Sequence, residues 1–595
     1  MTSTMQRIPF LMAFWVLAAA ASAQTFVKIT DAGNPIVSFT PSQPAYAGAS
    51  WIDIDNDGDL DLFVNDNFLF RNDGNGEFTR LTNTGIQSGW QAGQFNSGHS
   101  WGDFDNDGYW DLFMANRQSG LFRNNGDGTF SHGPLPTQPN GWAAAFADYD
   151  RDGWLDIVVT HPCGFIGPCH PNWLFRSDGN GGFTEVSGND VTTGNAAYTV
   201  ANWSDFDLDG DMDLFIGSGE ISAPSKDHIY LNQLTETGSP DLVRQDQGTL
   251  FGDLRDGQIW NWIDYDNDGD LDGFVTNYLT AQPNDFYRND GNGSFTKLTT
   301  DDLGGADMVS APGNWLNNIW GDFDNDGDLD AYVSNDGADD RYYRNNGDGT
   351  FTSLQMPFLA TGGARGAAAG DYDNDGDLDL FIGAVTAAGK GLYRNEDGNA
   401  NNWASFTLVG TVSNRSAIGA RVRLKATLGG KAVWQLRELS SQNSFCGMNS
   451  PRIHFGLADA QRIDSVLIEW PSGLVEAYEN LEVNMFCTIT EGQGNDCLVS
   501  SLSELPADVQ EWQVLPNPAS RTLMIRYVLV EKPHTPLQLT LFDSSGRSLR
   551  HQALPPLETS GTIHWNDLDS LPAGVYWLTL TSAKGRSSRK VVLKD

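Results

Sequence analysis

The sequence predicts an all-β protein: a seven-bladed β-propeller, then a small β-sandwich, then a C-terminal Ig-like β-sandwich. Three observations predict it. A nine-residue unit, D-x-D-x-D-G-x-x-D, recurs seven times between Asp53 and Asp379. Its start-to-start spacing averages 53 residues, which suits one four-stranded blade per repeat. From Asn402 onward the repeat stops, and alternating apolar stretches such as Ala420 to Lys425 and Asp464 to Trp470 read as strands with one buried face.

The chain has 595 residues and a net charge of −41, which excludes nucleic-acid backbones as natural partners. All the excess acid lies in residues 1–399, which hold 59 acidic and 18 basic side chains; residues 400–495 hold 8 of each. Aromatics make up 11% of the chain, including 19 Trp, so a packed core is feasible and a wholly disordered acidic chain is excluded.

Met1 to Ala23 carries Arg7, an apolar run from Ile8 to Ala20 and a small-residue site before Gln24, the pattern of a secretory signal. The apolar run is too short to span a membrane and no other long apolar segment follows, so no transmembrane segment is expected. Export places the five cysteines in an oxidising environment. Cys163 and Cys169, inside His161-Pro-Cys-Gly-Phe-Ile-Gly-Pro-Cys-His170, are candidates for a small disulfide loop, the alternative being a Cys2His2 metal site. Cys446, Cys487 and Cys497 leave one thiol unassigned.

Within each repeat an aromatic precedes the first Asp by two residues in six cases (Trp51, Trp101, Phe146, Trp203, Trp262, Trp320), and an apolar run such as Leu60 to Val64 closes the unit. That is strand, acidic turn, strand, with the aromatic packing blade against blade. Asn-Gly and Asp-Gly turns, as in Asn125 to Gly128, then supply the positive φ of a hairpin joining a third and a fourth strand. The fourth repeat departs from this, because Tyr230-Leu-Asn-Gln233 leads into a stretch without the Gly-x-Gly turn. The seventh keeps Leu392-Tyr-Arg-Asn395 but has no outer strand of its own. Thr25 to Thr30 resembles the outer strand Ser294 to Thr299 and is expected to complete it, closing the ring and removing an exposed sheet edge.

The acidic loops carry carboxylates at positions 1, 3, 5 and 9, Gly at position 6 and a backbone carbonyl at position 7, the ligand order of a calcium loop. The candidate ligands are Asp53, Asp55, Asp57 and Asp61 in the first loop, Asp103, Asp105, Asp107 and Asp111 in the second, and Asp148, Asp150, Asp152 and Asp156 in the third. The fourth offers Asp205, Asp207, Asp209 and Asp213, and the fifth Asp264, Asp266, Asp268 and Asp272. The sixth offers Asp322, Asp324, Asp326 and Asp330, and the seventh Asp371, Asp373, Asp375 and Asp379. Oxygen donors without Cys or His favour Ca²⁺, up to seven ions in a structural role. Apolar residues at positions 2 and 8, such as Ile54 and Leu60, anchor each loop.

These loops resemble the FG-GAP and VCBS repeats of integrin-α-type propellers over roughly residues 25–399. That resemblance implies structural calcium ions on the face opposite the ligand surface. Ser413 to Arg421, Arg437 to Ser444, His454 to Leu457 and Val466 to Gly473 resemble the ASPIC/UnbV domain, and its pairing with an acidic propeller is the arrangement of bacterial relatives of cartilage acidic protein. Leu515-Pro-Asn-Pro-Ala-Ser520, Leu541 to Arg547, Leu571 to Leu578 and the basic end Arg589 to Lys594 resemble a type A sorting domain of type IX secretion, which implies passage through that machinery to the outer-membrane surface or beyond. The expected organisation is a signal at 1–23, the propeller at 24–399, ASPIC/UnbV at 400–492, a linker at 493–509 and the sorting domain at 510–595.

The sequence has no H-E-x-x-H and no G-x-S-x-G; Gly383 to Lys390 misses the P-loop spacing, and Ser472 lacks the glycine that precedes a nucleophile elbow. The expectation is therefore a secreted or surface calcium-binding propeller that recognises an extracellular glycan or protein and is not an enzyme. The alternatives are a polysaccharide-active, lyase-like enzyme and a structural surface component. His454, Arg437, Glu438 and Ser441 stand as either a site or fold-stabilising polar contacts.

Overall fold

In the computed structural model, each acidic repeat folds as one antiparallel sheet because its two kinds of turn alternate. The Asp-rich turn joins strands one and two, and the Gly-x-Gly turn joins strands three and four, so both lie on one face. The first blade runs Ala49–Ile52, Asp61–Val64, Phe68–Asn72 and Phe78–Leu81, with Trp51 opposite Leu62 and Asn72 opposite Phe78. The structure describes residues 25–593 except 40–47, 65–67, 75, 87–97, 116–118, 134, 138, 164–168, 220–224, 247, 252–253, 279–281, 292, 360–362, 385–389, 397–400, 500–508, 516–522, 530–536, 544–547, 554–558, 566–567, 569–570, 572–573 and 583–584. The expected signal and most of the expected linker lie outside these residues.

Seven of the four-stranded sheets among the described residues are blades, and the first strands of blades two to seven pack on one another in turn, that of blade seven on blade one. The seventh sheet has three strands of its own, Ala364–Gly370, Asp379–Ala384 and Gly391–Asn395, and takes its fourth from the N-terminus. Phe26–Lys28 pairs antiparallel with the third strand, Phe26 opposite Asn395 and Lys28 opposite Tyr393. Phe26 seals this joint edge-on against Phe323, Tyr342 and Phe358. The fourth blade replaces the Gly-x-Gly turn with a four-residue helix, Leu234–Thr237, ended by Gly238 at φ 76°, before its outer strand Leu242–Gln245.

Each junction between consecutive blades has its own apolar cluster, which is where the expected aromatic stripe sits. The aromatic before one loop meets the position-2 residue of the preceding loop. Trp51 stacks on Tyr372 at 5.8 Å, Trp203 on Tyr149 at 6.0 Å and Trp262 on Phe206 at 4.4 Å. Stacking of this kind orients both loops as well as burying area.

The second module is a sandwich of two four-stranded sheets around Phe406, Val422, Leu424, Phe455 and Ile468. One sheet joins Ile453–Ala458, Asn402–Val409, Met485–Thr490 and Gly494–Val499; the other joins Lys431–Glu438, Arg421–Leu428, Ile463–Glu469 and Val475–Leu481. The C-terminal module has a three-stranded and a four-stranded sheet around Trp512, Ile525, Leu541, Trp565 and Leu578. Disulfides join Cys163 to Cys169 and Cys487 to Cys497, and Cys446 is a buried free thiol.

Candidate metal centres and the domain that covers them

The acidic loops owe their shape to the Asp spacing. The first Asp folds back on its own loop: Asp53 accepts hydrogen bonds from the amides of Asp57 at 3.1 Å and Gly58 at 2.9 Å, and Asp322 does the same for Asp326 and Gly327. The turn needs two residues at positive φ, met by Asn56 at 58° and Gly58 at 89°, and glycine tolerates the second without strain. The ninth Asp is held by two further amides; Asp61 accepts from Ile54 at 2.9 Å and Asn72 at 2.7 Å.

Asp103, Asp105 and Asp111, and likewise Asp148, Asp150 and Asp156, present oxygens all within 4.8 Å of one another. Loops one and four gather positions 1, 3 and 5 in the same way, as Asp53, Asp55 and Asp57 and as Asp205, Asp207 and Asp209. In loops five, six and seven the corresponding carboxylates repel one another. Burial is the main cause of the raised pKa values, with that repulsion added. Asp53, Asp103, Asp148 and Asp264 are pushed up to about 7, Asp205 to about 8, Asp111 to about 9 and Asp272 to about 10.

The Oδ1 atoms of Asp105, Asp150, Asp266, Asp324 and Asp373 are buried and accept no hydrogen bond. An oxygen left in that state is costly unless a cation meets it. Clustered carboxylates with position-3 oxygens aimed at no protein donor fit a hard divalent cation.

Two sets of asparagines, not singled out from sequence, tie the loops together. The Asn at position 4 donates to the position-6 carbonyl of the next loop: Asn56 to Gly108 at 2.8 Å, Asn106 to Gly153 at 3.0 Å, Asn267 to Gly327 at 3.1 Å and Asn325 to Gly376 at 3.0 Å. Arg151 and Leu208 take that position in loops three and four. The Asn that ends the third strand reaches back instead: Asn72 donates to the Tyr372 carbonyl at 2.7 Å, Asn124 to Ile54 at 2.8 Å and Asn345 to Tyr265 at 2.8 Å. The repeated Arg-Asn pair was the signal for this second set.

The second module covers this face and touches every loop. Arg452 donates to Gly58 O at 2.5 Å and Asn374 Oδ1 at 2.6 Å, and the Ser416 hydroxyl accepts from the Asp103 amide at 2.7 Å. Arg151 donates to Pro471 O at 3.0 Å, and the Leu436 amide donates to Asp264 Oδ2 at 3.2 Å. His454, held neutral by burial, lies with Nε2 2.6 Å from Asn325 Oδ1. At loop four Arg421 pairs with Asp205, while Glu438 accepts from the Asp205 amide at 3.0 Å and from Ser204 Oγ at 2.5 Å.

The segment 439–450 of the same module enters the propeller centre and bonds to all seven blades. Met448 N donates to Ser50 Oγ at 3.0 Å, Ser100 Oγ to Ser441 O at 3.1 Å and Ser441 Oγ to Phe146 O at 2.6 Å. Asn202 donates to Gln442 O, Asn261 to Asn443 O at 3.1 Å, Asn317 to Ser444 Oγ at 3.1 Å and Ser450 N to Ala369 O at 2.9 Å. Phe445 and Cys446 sit fully buried among Trp142, Val200, Ile259 and Leu316. Of the polar residues read from sequence as a possible group, Arg437, Glu438 and His454 line a cavity of about 130 Å³ between the second module and blades four to seven. Ser441 belongs to the plug.

Comparison with known families accounts for all three regions. The FG-GAP-like repeat matches residues 53–114, 103–159, 264–333 and 322–382, ASPIC and UnbV matches 410–496, and the secretion system C-terminal sorting domain matches 513–594. The chain is an exported FG-GAP propeller with an ASPIC/UnbV domain and a type IX sorting domain. The sorting domain directs export to the cell surface or outside and implies contact with the secretion machinery. No helix among the described residues is long and apolar enough to cross a membrane. The chain is 27% identical over 174 residues to cartilage acidic protein 1 of Homo sapiens, covering 28% of this chain and 26% of that one. It is 28% identical over 182 residues to the Mus musculus protein, covering 30% and 27%. It thus spans about a quarter of the length of these relatives. Among solved structures, PorZ, a surface component of the type IX secretion system of Porphyromonas gingivalis, aligns at 10% identity with a TM-score of 0.21, over 94% of this chain and 83% of that one. BBS1N aligns at 12% identity with a TM-score of 0.30, over 58% and 97%.

Proposed function

We propose that the carboxylates at positions 1, 3, 5 and 9 of the seven FG-GAP loops hold up to seven Ca²⁺ ions, which stiffen the ring, and that the exported protein is a recognition module for an extracellular glycan or protein. The observation that supports the second part is the cover: the ASPIC/UnbV domain occupies the loop face and fills the channel, so the ligand is assigned to the opposite end of the ring. Bound calcium supplies charge neutralisation to the loops and no chemistry to a substrate.

A binding role is favoured over catalysis by what happens to one nucleophile-like pair. Ser50 Oγ lies 2.7 Å from His99 Nε2, the contact of a serine nucleophile with its base, but both residues are fully buried and Met448 bonds to the same hydroxyl. No substrate reaches that hydroxyl while the plug is in place. The test is retention of the mature protein on glycan and extracellular-protein arrays, in calcium and in EDTA. Calcium-dependent retention of a defined ligand class is expected; no retention on either array sinks the recognition reading.

A further inference from the structure

We propose that blade four holds a second divalent cation, beside its loop site, on Asp209, Asp211 and Glu236. Their carboxylates lie within 4.8 Å of one another. Glu236 comes from the short helix that replaces the Gly-x-Gly turn in this blade. Asp211 is 1% exposed; its Oδ2 accepts from the Thr235 amide at 2.7 Å, and its buried Oδ1 accepts no hydrogen bond.

Charge compensation in blades two and three shows what is missing here; in blades one, five and seven the equivalent arginine pairs with Asp73, Asp290 or Glu396 of the following turn. In blade two Arg123, just before the strand-ending Asn124, pairs with Asp105 and, at 2.7 Å, with Asp107. In blade three Arg176 pairs with Asp150 and, at 3.4 Å, with Asp152. Asp107 and Asp152 are the position-5 equivalents of Asp209. The residue of blade four in the arginine's place, just before Asn232, is Leu231. Blade four has therefore exchanged an arginine for a leucine, a loss of one positive charge, and carries its turn carboxylate as Glu236 on the short helix, beside Asp211. Among the described residues no Lys or Arg makes an ion pair with Asp209, Asp211 or Glu236. Arg421, which reaches this loop, pairs with Asp205 and Glu469 instead.

Three carboxylates with no nitrogen or sulfur donor select a hard cation, and Asp209, common to both clusters, would be shared with the loop site. The proposal extends the calcium reading of the loops, and the test separates the two. Calcium bound per chain is counted by equilibrium dialysis on the whole exported protein, the Glu236→Gln variant and the Leu231→Arg variant. Glu236 is exposed, so its substitution leaves packing intact. Each variant is expected to bind one ion fewer than the parent, and Glu236→Asp to restore the count. A parent that binds calcium and loses none in Glu236→Gln overturns the second ion and leaves the loop sites standing. A parent that binds no calcium overturns both.

Discussion

At the scale of single residues the molecule is organised by side-chain amides as much as by carboxylates. Asn345 is 1% exposed, and one side chain spans two blades: its Nδ2 donates to Leu329 O within blade six and to Tyr265 O across the junction. Replacing it with alanine removes the donor and leaves the buried Tyr265 carbonyl unsatisfied, a loss of about 1–3 kcal/mol. Urea unfolding of Asn345→Ala is expected to show that loss as a lower midpoint at constant slope; an unchanged midpoint would mean the cross-blade bond contributes nothing. The carboxylate pattern was legible from spacing alone, because nine residues suffice to form one turn. The partners of the asparagines were not, since Tyr265 and Asn345 are 80 positions apart and meet only after two sheets have formed.

At the scale of elements, ring closure rests on three residues. Phe26–Lys28 supplies the outer strand of blade seven, and Phe26, 3% exposed, packs against aromatic rings of blade six and the segment after it. Truncating a buried phenylalanine costs about 3–5 kcal/mol. Phe26→Ala is therefore expected to unfold at clearly lower denaturant, whereas Val27→Ala, at a residue 42% exposed, should change little. Equal behaviour of the two would show that the strand does not seal the ring. The missing strand of blade seven and its donor were both readable in sequence, because outer strands share a pattern that Thr25 to Thr30 matches. The plug at 439–450 was not readable, for its contacts go to seven inner strands spread over more than 300 residues and no local period marks it.

For the whole molecule the decisive quantity is charge brought together by folding. Burial pushes the first-position carboxylates of loops one to five up to about 7 or 8 from 3.8, and raises Asp322 and Asp371 in the same direction. Without metal, the folded form keeps protons that the unfolded chain releases, so stability falls as pH rises from about 4 toward 7. Calcium held as proposed would reverse the sign, because it would bind the ionised carboxylates and only in the folded state. Thermal unfolding between pH 4 and 8 is expected to give a midpoint that falls with pH in EDTA, and a calcium-induced rise that grows with pH over the same window. Parallel curves in the two buffers would mean that the loops do not exchange protons for metal.

The sequence by itself determined the all-β class, the seven repeats, the carboxylate positions of every loop, the closing strand and the export address. Each of these is written in a local period or in a short contiguous block. Only the tertiary structure decided that the ASPIC/UnbV domain lies over the acidic loops, that its inserted segment fills the channel, and that Asp211 and Glu236 join Asp209. Those outcomes depend on surfaces that exist only once the blades have closed into a ring, and on where the unmatched polar groups of each surface find partners.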